Sequence, residues 1–443
     1  MDKEEINTFD RFDKLTASKL SVNAEASQSI KKPTRFFGLS RNVISMGAVS
    51  FLNDLSSDMI FPYIPIFLTS VLGASAAFVG LVEGVADATA SILKIFSGRL
   101  SDVFGRRKPF IVFGYSLSAA MKPLLAITTA PWHVLLVRFM DRVGKGTRDA
   151  PRDALLSFST EKKSVGKAFG FHRAADTLGA SLGPLLAFAV LPFINNDLRT
   201  LFLLSFVASF FAVIILQVFV KEVRISRASP VSAEAKAEEH RRAFMSMQEF
   251  RSLGVPFIIF LVATTIFSLG KASEAFLLLR AQNLGITLAL IPIIYFVYSI
   301  TFALLSTPAG ALSDRIGHRN TFMIGMIIFS GTYLLFAYAA SLSTIWFLFI
   351  IYGFFSALTE GVGRAIVADM VEEKLRASAY GLYSALNGIA LLPGSLVFGL
   401  LWDRFGPSAS FAYGATLGLL AFFIFLFLRI RNHRNTNNTG GVS

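Results

Sequence analysis

The chain has 443 residues, of which 53% are hydrophobic and only 16% charged, too little polar surface for a soluble protein of this size. Its formal net charge of +13 comes from basic residues scattered among apolar stretches, which excludes a nucleic-acid partner and matches the basic loops of a membrane protein. The absence of Cys excludes disulfides, thiolate metal sites and a Cys nucleophile.

Residues 1–40 are polar, of mixed charge and without periodicity, and are expected to be a disordered tail. Asp2, Glu4 and Glu5 follow Met1 with no early apolar run, unlike a cleaved signal peptide. Beyond this tail come twelve stretches of the length that a bilayer core requires, about 20 mainly apolar residues each. They are 42–70, 76–99, 109–129, 132–155, 166–192, 199–220, 255–280, 287–312, 320–340, 344–368, 377–401 and 409–429. The long polar interruption at 221–254 carries Lys221, Arg224, Lys236, Arg241 and Arg242 and splits the chain into halves at 41–220 and 255–430. Within it, His240–Leu253 reads as an amphipathic surface helix with Phe244, Met247 and Phe250 on one side. Residues 431–443 are a polar tail. One set of short loops is rich in bases (Arg106, Arg107, Lys108, Lys162, Lys163, Lys167, Arg315, Arg319, Lys374, Arg376), and residues 70–77, 129–133 and 341–344 have none. Arg199, Arg280 and Arg404 are the exceptions. The asymmetry places both termini in the cytoplasm, and the even span count agrees.

Charged residues inside the spans are the functional candidates, because a charge facing lipid costs several kcal/mol. Asp54 and Asp58 lie four apart on one face of the first span, and Glu83 and Asp87 do so in the second. Two carboxylates on one face disfavour double ionisation, the property a proton carrier needs. Arg138, Asp141, Arg142 and Lys145 share one face of the fourth span, which must therefore look onto protein or a water-filled cavity. Lys94, Lys122, His172, Arg173 and Asp176 add to the set. Its acids and bases balance, so a self-neutralising network of ion pairs is the competing reading. His172 is either a titrating group or a hydrogen-bonded helix residue. In the second half, Lys271 with Glu274 and Glu360 with Arg364 are spaced to pair within one helix, and Tyr295, Tyr298, Tyr380, Tyr383 and Asn387 are neutral groups for the other wall of a cavity.

The loop after the second span reads Gly98-Arg99-Leu100-Ser101-Asp102-Val103-Phe104-Gly105-Arg106-Arg107-Lys108. A partner recurs 212 residues later as Gly310-Ala311-Leu312-Ser313-Asp314-Arg315-Ile316-Gly317-His318-Arg319-Asn320. A loop motif repeated at matching places in two hydrophobic halves marks a duplicated transporter. Looser matches pair Arg148 and Asp153 with Arg364 and Asp369, and Gly183-Pro184 with Pro393-Gly394. Asp102 is placed to pair with Arg106 or to cap a helix N-terminus.

From about residue 40 to 430 the chain resembles a major facilitator superfamily transporter. The first loop fits that family's pattern, and the resemblance implies that Gly98, Asp102, Gly105, Arg106 and Arg107, with Asp314, Gly317 and Arg319, latch the cytoplasmic face in one conformation. The second copy departs at His318 and Asn320. Gly170, Gly179, Gly183 and Pro184 in the fifth span resemble the motif of the antiporter branch, although Ala187 and Phe188 replace its further glycines. Arg138 fits the arginine of a third family pattern, near the proton path, where Arg142 replaces the usual glycine.

The fold implied is all-α, twelve transmembrane helices in two six-helix bundles around a central cavity, both termini cytoplasmic, in the cell membrane and as a monomer. The function implied is secondary transport of a small organic solute by alternating access, as proton-coupled export. Asp54, Asp58, Asp87, Asp141 and Arg138 are the proton-coupling candidates; Glu83, Arg142, Lys145, His172, Asp176, Tyr295, Tyr298, Tyr383 and Asn387 are the cavity candidates. The alternative is proton-linked uptake of a polar solute such as an organic anion or metal chelate, motivated by the basic stripe of the fourth span. A membrane-embedded lipid enzyme is a remote third reading, opposed by the twofold repeat and by the lack of a metal-binding His cluster. No cofactor, metal or ATP site is expected; Val143-Gly144-Lys145-Gly146-Thr147 lacks the first glycine of a phosphate-binding loop and no strand precedes it.

Overall fold

Apolar stretches long enough to span a bilayer satisfy their backbone groups only by forming helices, and the computed structural model is helical almost throughout. It describes residues 35–36, 39–160, 164–223, 253–371 and 375–427. Residues 1–34, most of the expected surface helix at His240–Leu253, and the tail from His433 lie outside the described residues. The segment up to Arg41 is a unit of its own, in which Arg35–Phe36 pairs antiparallel with Leu39–Ser40. Four residues of the stretch expected to be disordered are thus paired.

In the main unit the helices are α1 Arg41–Ile60, α2 Ala76–Phe104, α3 Lys108–Ala126, α4 Pro131–Phe158, α5 Val165–Val190, α6 Leu198–Phe219, α7 Gly254–Gly270, α8 Glu274–Asn283, α9 Ile291–Ile316, α10 His318–Tyr338, α11 Leu342–Met370, α12 Arg376–Phe405 and α13 Pro407–Leu426. Two expected spans are not single helices. The first ends as α1 at Ile60 and continues to Val71 through 3-10 and π turns seeded by Pro62 and Pro65. The seventh breaks between Gly270 and Glu274, where Ser273 caps α8 by accepting from the Ala275 N–H at 3.3 Å. Counting α7 and α8 as one crossing gives twelve, ten of which are long and apolar enough to cross a membrane by length and composition. The two that fall short among the described residues are α1 and α4, whose charges lower their hydropathy.

The twofold repeat is visible in the packing. A side chain at Gly183 would collide with the backbone of α1, at Leu55 O (2.6 Å) and Met59 N (2.8 Å), so α5 lies backbone to backbone on the first span. At the matching place in the second half, a side chain at Gly394 would meet Leu269 O at 2.7 Å, so α12 lies in the same way on α7. Gly179 also approaches α1, at Leu55 N (3.0 Å), whereas Gly170 faces open space. Inside each half α2 packs on α4, α3 on α4 and α6, α9 on α11, and α10 on α11 and α13.

The two halves meet along α2 against α12 and α5 against α9. The α2 N-terminus is capped by the other half, since both Asp403 carboxylate oxygens accept from Ala76 and Ala77 N–H at 2.8 Å each. Gln282 donates to Ser70 Oγ at 3.2 Å, and the rings of Phe61 and Tyr295 touch at 5.4 Å. These contacts lie at the end of the molecule that carries the loops poor in bases. The interiors differ in chemistry. The second half is filled by interlocking rings such as Phe267, Phe329, Phe355, Phe398 and Phe411, while the first buries Glu83, Lys122, Arg138, Arg148 and His172. That contrast places the polar cavity on the first half.

Candidate functional site

A cavity of about 260 Å³ lies between the halves and is lined mainly by α1, α2 and α4. From α1 come Asn53, Asp54, Ser57 and Asp58, with Phe61 just beyond its end, spaced so that all share one helical face. α2 supplies Glu83 and Asp87, one turn apart, and α4 supplies Arg138, Asp141, Arg142, Lys145 and Arg148 along a single stripe. The second half contributes Ser273 and Glu274 at the helix break and Tyr295 on α9. The charged face of α4 thus looks onto a cavity, as the cost of a charge in lipid requires.

Part of this charge is locked. One Arg138 guanidinium nitrogen donates to both Glu83 carboxylate oxygens at 3.0 and 2.9 Å, and Glu83 is 1% exposed and Arg138 5%. Asp141 lies 3.7 Å from Arg138 and 3.8 Å from Arg142, so three residues of the α4 stripe neutralise one another with Glu83. Arg148 donates to Ser118 Oγ at 2.7 Å and lies 4.3 Å over the Tyr115 ring. The rest is not locked. Among the described residues Asp58, Asp87, Glu274 and Lys145 line the cavity with no ion-pair partner, and Asp54 accepts one hydrogen bond, from Asn53 Nδ2 at 3.0 Å.

Other expected members lie elsewhere. Lys122 is buried behind α1, where it donates to Ser56 Oγ at 2.6 Å, and Ser56 in turn bonds the Ser205 carbonyl. His172 joins Ser50 Oγ at 3.0 Å and lies 3.6 Å from Asp176, while Ser50 also contacts Tyr115 Oη at 3.3 Å. This makes a buried polar chain on Ser50, one turn before Asp54 on α1. His172 and Asp176 are not among the residues lining the cavity. Nor are Tyr298, Tyr383 and Asn387. Tyr298 packs between Tyr295 and Tyr352, Tyr383 stacks on Phe260 at 5.5 Å, and Asn387 accepts from Ser268 at 3.1 Å. Lys271 and Glu274 do not pair within their helix. The break turns them apart, Lys271 reaching Glu360 on α11 at 3.6 Å while Glu274 faces the cavity.

The sequence pattern marks Arg148 only as a repeat match and does not place Asn53, Ser57, Phe61, Ser273 and Glu274 in the cavity. The first group was visible in the periodicity, because Ser57 and Phe61 continue the Asp54 face of α1 and Arg148 continues the Lys145 face of α4. Ser273-Glu274 after Gly270 carries the signature of a helix start inside an apolar run.

At the basic end, Asp102 pairs with Arg107 rather than Arg106. The Arg107 guanidinium donates to Asp102 Oδ1 at 2.7 Å and lies 4.4 Å over Phe158. The α3 N-terminus is capped by Glu222, which accepts from the Arg107 and Lys108 N–H groups at 3.1 and 2.9 Å. Gly105 makes the turn between them with φ +63°, a conformation that disfavours side chains. In the second copy His318 bridges Asp369 at 2.5 Å and Asp314 at 3.3 Å, and Arg319 donates to the last carbonyls of α13 at Leu426 (2.6 Å).

Known proteins agree with this architecture. The family model of the Major Facilitator Superfamily matches residues 46–278 and 257–442. The chain belongs to the major facilitator superfamily. It is a multi-pass membrane protein and a secondary transporter that moves a small solute across the membrane, not an enzyme. An uncharacterized MFS-type transporter of Methanocaldococcus jannaschii is 36% identical over 396 residues, covering 88% of this chain and 95% of the relative. A multidrug resistance protein, MdtH, of Yersinia enterocolitica is 34% identical over only 128 residues, 29% of this chain and 32% of that protein. Among solved structures, the peptide transporter POT superposes with a TM-score of 0.72 at 14% identity, covering 89% of this chain and 95% of that one. The nucleoside transporter NupG superposes at 0.68 with 16% identity, covering 87% and 98%. At such identities the structures speak for the fold alone.

Proposed function

We propose that this superfamily member exchanges protons for a small organic solute, exporting the solute across the cell membrane by rocking its two halves around the cavity. The observation that carries the proposal is the set of acids Asp58 and Asp87, with Asp54 beside them, that line the cavity without an ion-pair partner. Such carboxylates can take a proton or a solute at one place, which couples the two. The glycine contacts of α5 on α1 support the antiporter reading, and so does the partial likeness to MdtH. The protein acts as a monomer with the basic loops and both termini in the cytoplasm, and the Asp102–Arg107 pair belongs to the device that closes that face.

The test is proton movement in proteoliposomes that enclose a pH-sensitive dye, with a panel of cationic, neutral and anionic solutes added outside. Solute-driven proton flow in the opposite direction, lost in at least one of Asp54→Asn, Asp58→Asn, Asp87→Asn and Asp141→Asn, is expected. Full coupling in all four variants would refute the assignment.

Uptake of an anionic solute together with protons is the second reading. It is favoured by Arg142, Lys145 and Arg148 on the α4 wall. Accumulation of a labelled organic anion that disappears in Arg142→Ala would select it over export.

A further inference from the structure

We propose that the solute is a small hydrophilic amine, carried as its ammonium ion, rather than a lipophilic drug or an organic anion. The reading that the bound amine is cargo rests on the transport function above; the binding itself does not.

The cavity wall has six carboxylates against four basic side chains. The bases are largely spoken for: Arg138 by Glu83, Arg142 by Asp141, and Arg148 by Ser118 and the Tyr115 face. The carboxylates left without an ion-pair partner among the described residues are Asp54, Asp58, Asp87 and Glu274, from α1, α2 and α8, against the one base so left, Lys145, so a surplus of negative charge faces inward from three sides.

An independent observation points to the same ligand. Asn53 lines the cavity, is 2% exposed, and has an Oδ1 with no donor. Its orientation is fixed chemically, because the amide nitrogen must face the Asp54 carboxylate, to which it donates at 3.0 Å. What remains is a buried carbonyl oxygen that lacks an N–H or O–H, a costly arrangement that an ammonium group relieves. Phe61 and Tyr295, 5.4 Å apart, are the aromatic groups of the wall; Phe61 already has the Arg138 guanidinium 5.8 Å from its ring centre, and the Tyr295 π face also attracts cations. Acceptors, negative charge and π faces therefore dominate the open chemistry. Carbon-rich solutes find almost no apolar lining here, although drug-sized ligands are ordinarily held by apolar walls. Because ammonium and proton seek the same carboxylates, each displaces the other, which is the condition for exchange.

Equilibrium binding to the purified full-length protein tests this without any gradient. The probes are ethanolamine and 1,4-diaminobutane, with tetraphenylphosphonium as lipophilic cation and succinate as anion. At least one of the two amines is expected to bind, with affinity reduced about tenfold or more in Asp87→Asn or Glu274→Gln and reduced in Asn53→Leu. Size-exclusion profiles matching the parent protein certify each variant, and having three variants keeps the test decisive if one fails to fold. Binding of succinate or tetraphenylphosphonium with no amine binding, no binding by either amine, or amine binding indifferent to all folded variants would overturn the proposal. Amine binding without proton movement in liposomes would leave this inference standing and remove the antiport; solute-driven proton movement by succinate alone would do the reverse.

Discussion

Removing Glu83 tests whether the cavity wall rests on a locked ion pair. In Glu83→Ala the Arg138 guanidinium stays 5% exposed and loses two hydrogen bonds of 3.0 and 2.9 Å, keeping only Asp141 at 3.7 Å. Breaking a buried pair in this way costs about 3–5 kcal/mol, because a charge is left uncompensated. The adjacent cavity and Asp141 put the expected loss at the lower end, about 3 kcal/mol. Arg138→Ala leaves Glu83, 1% exposed, without its donor and is expected to cost a similar amount. The double variant Glu83→Leu/Arg138→Met removes both charges and keeps the volume, and buried pairs replaced in this way are often neutral. Equilibrium unfolding in mixed micelles reads all of these. The double variant should be clearly more stable than either single one, and about 6 kcal/mol more stable than the sum of the two single losses would make it. Singles that cost less than about 1 kcal/mol, or a double variant equal to their sum, would refute the reasoning.

Three further outcomes follow from the packing. Gly183→Val drives a branched side chain into the backbone of α1 and should cost at least about 1–3 kcal/mol and abolish transport, while Gly170→Ala, facing open space, should fall within about 0.5 kcal/mol of the parent in the same unfolding assay. Asp403→Ala removes the acceptor of the Ala76 and Ala77 N–H groups, leaving Ser75 as the N-cap of α2, and loosens the contact between halves, so that a reporter Ser70→Cys should react faster with a thiol reagent; an unchanged rate would show that this contact does not hold that face shut. Asp197→Ala removes the N-cap of α6 and should cost about 1 kcal/mol at neutral pH. The Thr200 hydroxyl, together with the N–H groups of Arg199 and Thr200, holds the Asp197 carboxyl below the usual range, so the charged form is the one favoured by folding. This contribution is therefore complete above the ordinary carboxyl range, near pH 4, and should vanish as the pH falls through the lowered value, which pH-dependent melting of parent and variant would show.

Much of the architecture was legible in the sequence because bilayer thickness imposes one length on every span and duplication repeats the signal. The loop pair around Asp102 and Asp314, and the faint match of Gly183 to Gly394, were enough to give two halves, and the structure lays both glycines against the first span of their half. The faces of α1, α2 and α4 were also readable, since charges at i, i+3 and i+4 can share only one side of a helix. Partner choice was not readable. Arg107 instead of Arg106 faces Asp102 because Gly105 turns the chain by a left-handed step, and Lys271 leaves Glu274 because the seventh span breaks between them. Nor does spacing tell which wall a tyrosine faces: Tyr295 reaches the cavity, while Tyr298, three residues on, is packed among rings.

Transport by rocking requires the cavity to open to each side in turn, and the chain offers a clean way to measure this because it contains no Cys. Ser57 lines the cavity between Asp54 and Asp58, so Ser57→Cys places one thiol at its centre. Its reaction with a membrane-impermeant thiol reagent would be followed in right-side-out and inverted vesicles, with and without an imposed proton gradient. Labelling is expected from both sides, with the gradient raising one rate as it lowers the other. Labelling from a single side under every condition would contradict it.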